Sequence, residues 1–270
     1  MPSPRSAGEI FDELKQTKHK IVIDGIECYI VEGDLRLDAG QLLAYAFELA
    51  EREQARAGGG SGGEQRQPLV GIVDDEGRMV RWKKGLLLTY NVLRSSFASD
   101  ADYQTVVQAM RVATADWEAT CGVNFKHLSE LDGGVTPGGP APLFQVKAFD
   151  DGSGFIAVAF FPDEPPVRRT VLIFPSFFSP TLGFDRAGVL RHELGHVLGF
   201  RHEHIRSEAP ALCPDEPLGN TINLSDYDPR SVMHYFCGGV GTRELKITDV
   251  DRDAARKLYG PPDKDVHYFD

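Results

Sequence analysis

His192-Glu193-Leu194-Gly195-His196, followed by Gly199 and His202, is the stretch whose residue types and spacing can do chemistry. On a helix, side chains four residues apart share a face and lie about 6 Å apart along the axis. His192 and His196 can then aim both imidazoles at one ion. Glu193 projects beside that face, where a carboxylate reaches a water at the metal without ligating the metal itself. Gly199 can take a positive φ that a residue with a Cβ resists, so the chain leaves the helix and turns back there. That turn returns His202 as a third ligand. Three neutral imidazoles with one coordination position open suit a catalytic zinc rather than a structural one. The plain alternative is an amphipathic helix with surface histidines. The glycine and the third histidine, at fixed offsets, weigh against it.

The pattern H-E-x-x-H-x-x-G-x-x-H is identified as that of the metzincin zinc peptidases. Ser231-Val232-Met233-His234-Tyr235 resembles the Met-turn of that family. Together, G-F-x-H-E and S-x-M-H-Y are most similar to the astacin branch. The resemblance implies an α+β fold in which a twisted mixed sheet with two main helices lies above an irregular lower subdomain. That lower part holds the Met-turn and a C-terminal helix. It also implies one catalytic zinc on His192, His196 and His202, with Glu193 as general base. Tyr235 would ligate the metal and swing away to hydrogen-bond the transition state; its alternative is a tyrosine simply packed under the turn. Met233 would be an apolar floor, and His234 a neighbour of the ligands or a surface histidine. Glu203 would anchor a freed amino terminus, unless it is a surface glutamate paired with His204 or Arg206. Ser207 to Pro210 departs from the astacin pattern.

Further resemblances lie upstream. Arg81-Trp82 is similar to the R-W that opens many astacin-like domains, with Lys83 where proline often follows. Ile156 to Pro162 resembles the matrixin edge strand that holds substrate, here through Ala157, Val158 and Ala159. Val158 stands where matrixins often carry a histidine for a second zinc, so no structural zinc is expected there. Val31-Glu32-Gly33-Asp34-Leu35 resembles the F-E-G-D-I of astacin propeptides, which implies Asp34 as an inhibitory zinc ligand. A carboxylate tethered in this way stays bound through its high effective concentration. The alternatives are that Gly33-Asp34 merely turns the chain, or that Cys28 is the inhibitory ligand, although its alternation with Ile26 and Ile30 suggests a buried strand face.

Those residues need elements to hold them. Ile21 to Ile23 and Ile26 to Val31 are expected as strands joined at Asp24-Gly25. A helix should come next, with Asp38 as N-cap, Gln41 in capping position and Leu42, Leu43, Ala46, Leu49 and Ala50 on its apolar face. The glycine run from Gly58 to Gly63 reads as a flexible linker. Strands are expected at Leu86–Val92, Asn124–His127, Phe144–Lys147, Phe155–Phe161 and Thr170–Phe174. A long helix should run from Asp102 to near Gly122, the metal helix from about Asp185 to Leu198, and a last helix from Thr248 to Tyr259. Residues 1–57 thus form an amino-terminal inhibitory unit, too small for a robust core of its own and expected to dock on the rest of the chain. Residues 58–79 form a linker and activation region, 80–262 the catalytic domain and 263–270 a tail.

Composition sets outer bounds. The chain has 270 residues, 41% apolar and 26% charged, as suits a globular protein. Its 29 basic and 40 acidic residues give a formal charge of -11, which argues against nucleic acid as a partner. No stretch has the length of a membrane span. The amino terminus lacks the apolar core of a secretory signal, so the protein stays in the cytoplasm, leaves by a route without one, or begins after one. The four cysteines form no C-x-x-C pair. Cys213 and Cys237 are the best candidates for a bridge, with four reduced thiols as the alternative.

The expectation is a zinc endopeptidase made as a zymogen blocked by Asp34, acting on a peptide or protein substrate. Cleavage between Gly58 and Arg81, for instance at the linker, Arg66 or Arg78, would release the block. The alternatives are a zinc-stabilised peptide-binding module, against which Glu193 and Tyr235 argue, and an amide hydrolase dedicated to one protein.

Overall fold

The computed structural model describes residues 4–23, 25–57, 70–73, 76–136, 138–205, 209–210, 213 and 221–263. The glycine linker, Asp24, Arg66 and Arg206 to Glu208 lie outside the described residues.

The amino-terminal unit starts with α1 (Ala7–Thr17), whose Ser6 and Glu9 form a reciprocal capping box. Next come β1 (His19–Ile23), β2 (Ile26–Val31) and β3 (Leu35–Asp38), an antiparallel sheet in that order. α2 (Ala39–Ala57) completes the unit. Asp38 and Gln41 cap it reciprocally, each backbone N–H held 2.9 Å from the other's side-chain oxygen. Ile10 and Leu14 of α1 pack with Leu42, Ala46 and Ala50 of α2 against Tyr29, Val31 and Leu35.

After the linker comes β4 (Val70–Ile72), paired antiparallel with β10 (Thr221–Asn223). The main sheet uses β5 (Leu87–Val92), β6 (Asn124–His127), β7 (Phe144–Ala148), β8 (Ala157–Val158) and β9 (Thr170–Ile173). Their order is β6-β5-β7-β9-β8, parallel except for β8 at the edge. Three helices complete the domain: α3 (Asp100–Thr120), α4 (Arg186–Val197) and α5 (Asp249–Tyr259). Ser99, Asp185 and Thr248 cap them, each accepting a backbone N–H with its side chain. The result is a mixed α+β fold with an irregular stretch between α4 and α5. Among the described residues, no helix is long and apolar enough to cross a membrane.

Several expectations change in extent. The long helix starts at Asp100 rather than Asp102, because Ser99 rather than a later residue provides the cap. The strand expected over Phe155–Phe161 is reduced to Ala157–Val158. Beyond it, Ala159 pairs with Leu35 of the amino-terminal unit, and a turn closes from Phe161 O to the Glu164 N–H at 3.0 Å. Neither α1 nor β3 was expected.

The end of α4 explains how the site is held. A helix leaves its last carbonyls without partners inside the helix. Here the Trp82 indole donates to Val197 O at 2.7 Å, and the Tyr259 hydroxyl donates to Leu198 O at 2.6 Å. The Trp117 indole donates to Arg191 O at 2.9 Å, and its ring stacks on Phe200. Gly199 then turns the chain with φ +94°, and a Cβ there would lie 2.7 Å from Val80 O. Only glycine satisfies both constraints.

Cys213 and Cys237 are bridged, with Cα atoms 5.1 Å apart. Cys28 and Cys121 are buried free thiols.

Candidate metal centre

α4 carries His192 and His196 one turn apart, and the Gly199 turn brings His202 to the same point. One ligand atom from each of His192, His196, His202 and Asp34 lies within 4.8 Å of the others. All four side chains are buried. The outer ring nitrogens set the tautomers: His192 Nδ1–H donates to Val232 O at 2.7 Å, and His196 Nδ1–H donates to Phe200 O at 2.8 Å. Both Nε2 atoms therefore present lone pairs inward, as metal ligation requires. His196 Nε2 stands 3.1 Å from His202 Nε2 and 3.6 Å from Asp34 Oδ1. A lone pair facing a carboxylate at that range is repulsive unless a cation lies between them. Three imidazole nitrogens and one carboxylate oxygen are a donor set that zinc accepts.

Asp34 reaches this point from the amino-terminal unit. Its oxygens lie 3.1 Å from His192 Nε2 and 3.0 Å from His202 Nε2. Burial would raise its carboxyl, but the neighbouring imidazoles, His202 first, hold it well below the usual carboxylate range. Burial pushes His196 down to about 4, so its ring is neutral at pH 7. The turn before Asp34 is left-handed at two residues, Glu32 at φ +54° and Gly33 at φ +87°. A Cβ on Gly33 would lie 2.8 Å from the Tyr235 hydroxyl. Beyond Asp34, its carbonyl accepts the Ala159 N–H at 3.0 Å, and Leu35 bridges Ala159 in parallel. The segment thus lies along the edge of the main sheet, against the three histidines.

Glu193 is buried next to this centre. Its Oε2 has no hydrogen-bond partner among the described residues. Burial, and then the Asp34 charge, raise its carboxyl well above the ordinary value. Glu193, His192 and Asp34 line a cavity of about 400 Å³ with Phe184, Phe236 and Leu245 on its walls.

A family model described as matrixin matches residues 81–210, which span all five strands of the main sheet, α4 and all three histidines. That match covers just under half of the chain and, with the three-histidine centre, supports a metzincin metallopeptidase. That family uses zinc, and the donor set described above fits it.

The curated relatives include both a matrix metalloproteinase and an astacin-like enzyme. Matrix metalloproteinase-16 of Homo sapiens is 28% identical over 171 residues, covering 58% of this chain and 24% of its own length. The astacin-like metalloendopeptidase of Coturnix japonica is 44% identical over 62 residues, covering 18% of this chain and 15% of its own length. The chain therefore spans under a quarter of the length of these curated relatives. Two solved structures of myroilysin share 16% identity with it, at TM-scores of 0.48 and 0.43; they cover 70% and 76% of this chain and 98% and 95% of theirs.

The remaining sequence-derived residues take these places. Tyr235 donates its hydroxyl to the Glu32 carbonyl, with its ring 4.3 Å from that of His202. Met233 is fully buried under α4, and a Cβ on Gly195 would collide with its sulfur. His234 is buried rather than on the surface: Nδ1–H donates to Tyr235 O at 2.6 Å, and Nε2 accepts from the Tyr227 hydroxyl at 2.9 Å. Glu203 is buried, accepting the Asp228 N–H at 2.9 Å, and its own N–H donates to Met233 O at 2.9 Å. Ala157 and Val158 form β8 at the sheet edge. The Val158 side chain is packed beneath Ile21, Ile23 and Ile30 of the amino-terminal sheet. Cys28 belongs to that same apolar layer, away from the metal centre.

Sequence reasoning missed three supports of this site. Asp251 accepts the Ser231 hydroxyl at 2.5 Å and the Val232 N–H at 2.9 Å, fixing the turn that carries Met233. Its only sequence signal was the capping box with Thr248. Gly195 gives Met233 room, and a glycine inside a helix was itself a signal of close approach. Arg201 forms a buried ion pair with Glu32, which no local pattern announced.

Proposed function

We propose that this chain is a zinc endopeptidase of astacin-like type, held inactive by its own amino-terminal unit until that unit is cut away. The observation that carries the reading is the Asp34 carboxylate at the meeting point of the three histidines, with the buried Glu193 carboxyl alongside. When bound, zinc would act as a Lewis acid on the scissile carbonyl and make an attacking water more acidic.

The chain's own groups supply the rest. Glu193, placed beside the ligand face, would take the proton from the attacking water on Oε2 and return it to the leaving amine. Tyr235 donates to the Glu32 carbonyl in the blocked chain. Once that segment leaves, the same hydroxyl is available to donate to the developing oxyanion. The Ala159 N–H, now on Asp34 O, would align a substrate backbone along β8. Met233 acts only by packing, as the floor of a Met-turn. The astacin-like assignment is supported by Tyr235 two residues after Met233 and by the Glu32-Gly33-Asp34 turn at the metal.

The test compares four zinc-loaded proteins on a mixed peptide library, with products read by mass spectrometry. Uncut parent should be silent, uncut Asp34→Ala active, linker-cut parent active and linker-cut Glu193→Gln silent. Cleavage by the cut Glu193→Gln protein at the parent rate would sink the base assignment. An uncut Asp34→Ala protein no more active than its parent would remove Asp34 as the inhibitor. Scission of the peptide chain, rather than a side-chain mass change, separates a peptidase from a side-chain amide hydrolase.

A further inference from the structure

Arg201 precedes the third histidine by one residue. Its backbone N–H donates to Val70 O at 2.8 Å, which fixes where the side chain leaves the chain. The guanidinium is buried, forms an ion pair with Glu32 and lies 3.9 Å from Glu48 Oε2 on α2. Both carboxylates come from the amino-terminal unit, so the side chain faces the ground which that unit covers.

Glu32 belongs to the stretch that lies in the cleft. Its carbonyl takes the Tyr235 hydroxyl, and two residues later the Asp34 carbonyl takes the Ala159 N–H. The two left-handed residues turn the Glu32 carboxylate toward Arg201 while Asp34 turns to the histidines. For a residue with a Cβ that conformation is strained, so it is held by what it brings together. A guanidinium stays charged at any working pH, and its planar fork matches a carboxylate in two bonds.

We propose that Arg201 is a specificity-determining residue that makes the cleft select an acidic side chain. The preferred substrates are peptides with Glu or Asp two positions from the residue facing the metal, in the place Glu32 holds. This rests on the peptidase reading and names the substrate class for that same site.

The experiment uses linker-cut, zinc-loaded protein purified away from its amino-terminal unit, with two independent readouts. In the first, matched peptides with Glu or Gln at each flanking position are compared by kcat/KM. Wild type should favour Glu by roughly tenfold or more at one position, as expected for loss of a charge-assisted hydrogen bond. Arg201→Met should erase that preference. Arg201→Glu should turn the preference toward Lys. In the second, the Glu193→Gln protein is titrated calorimetrically with a peptide of sequence Val-Glu-Gly-Asp-Leu and with its Gln analogue. The Glu peptide should bind about tenfold more tightly, and Arg201→Met should abolish the difference. Equal handling of Glu and Gln peptides by wild type, or a preference that survives Arg201→Met, would overturn the proposal. If the cut protein hydrolyses nothing, the peptidase reading falls, and the calorimetric comparison still decides Arg201. Should Arg201→Met fold poorly, Arg201→Lys serves in its place: it keeps the charge but loses the two-pronged contact, so a weakened acid preference supports the proposal and an undiminished one refutes it.

Discussion

Replacing Glu193 by Gln keeps the shape of the side chain and removes its ability to accept a proton from water. Zinc content should stay near one ion per chain, while peptide hydrolysis falls by at least a hundredfold after linker cleavage, as for loss of a general base. Metal analysis on the same sample separates that result from ligand loss. His196→Ala should act differently, emptying the site and abolishing activity together. At this scale the sequence was most legible, and the reason is local geometry. His192, Glu193 and His196 are placed by one turn of helix, and Gly199 with His202 by a single turn. Asp34 was legible only through its resemblance to a known segment. The pairing of Glu32 with Arg201 was not legible at all, because it joins residues 169 apart in the chain through two left-handed residues.

Elements hold these residues through contacts that can be broken singly. Gly195→Ala would drive a methyl group into Met233 beneath α4. Overpacking of that kind costs about 1–3 kcal/mol, so the midpoint of denaturant unfolding should fall with little change in slope. Asp251→Asn, with its amide oxygen kept where Oδ2 takes the Val232 and Thr248 N–H groups, would put an NH2 in place of Oδ1 and leave the Ser231 hydroxyl without its acceptor, a loss of about 1–3 kcal/mol. The turn under the metal and the start of α5 should loosen together, visible as faster amide exchange at Val232 and at the first turn of α5. Most helices and strands were legible because their apolar spacing and caps are local signals. α1 went unseen although Ser6 and Glu9 form a capping box, since only Ala7, Ile10 and Leu14 are buried along it. β3 was hidden by its length, and β8 was overestimated because an apolar run does not say where pairing stops. The continuation from Val158 is taken by Leu35, a partner from the other end of the chain.

Across the whole molecule, the amino-terminal unit is attached at more places than the metal. Arg168 pairs with Asp38 and with Glu164, and Gln41 donates to Glu164 at 3.0 Å. Ile21, Ile23 and Ile30 cover Val158, Leu172 and Phe174 on the outer side of the main sheet. Full burial of such side chains is worth about 1.5–3 kcal/mol each, an upper bound once compact unfolded chains are considered. Linker-cut protein freed of the unit should therefore melt several degrees lower than the intact chain and bind more of a dye that reports exposed apolar surface. Equal melting temperatures would mean that the interface contributes little beyond the Asp34 contact. Arg168→Met should weaken attachment without touching the metal, raising the activity of uncut protein less than Asp34→Ala does.

That covered sheet face bears on how long the active form lasts. On the proposed zymogen reading, a cut that frees the cleft would also bare Val158, Leu172 and Phe174, so activation and ageing would begin in the same event. The uncut chain would then be the long-lived form and the cut one short-lived, with activity timed by the rate of cutting. The half-lives of the two forms at one temperature, followed as retained zinc and retained fold, measure that clock directly.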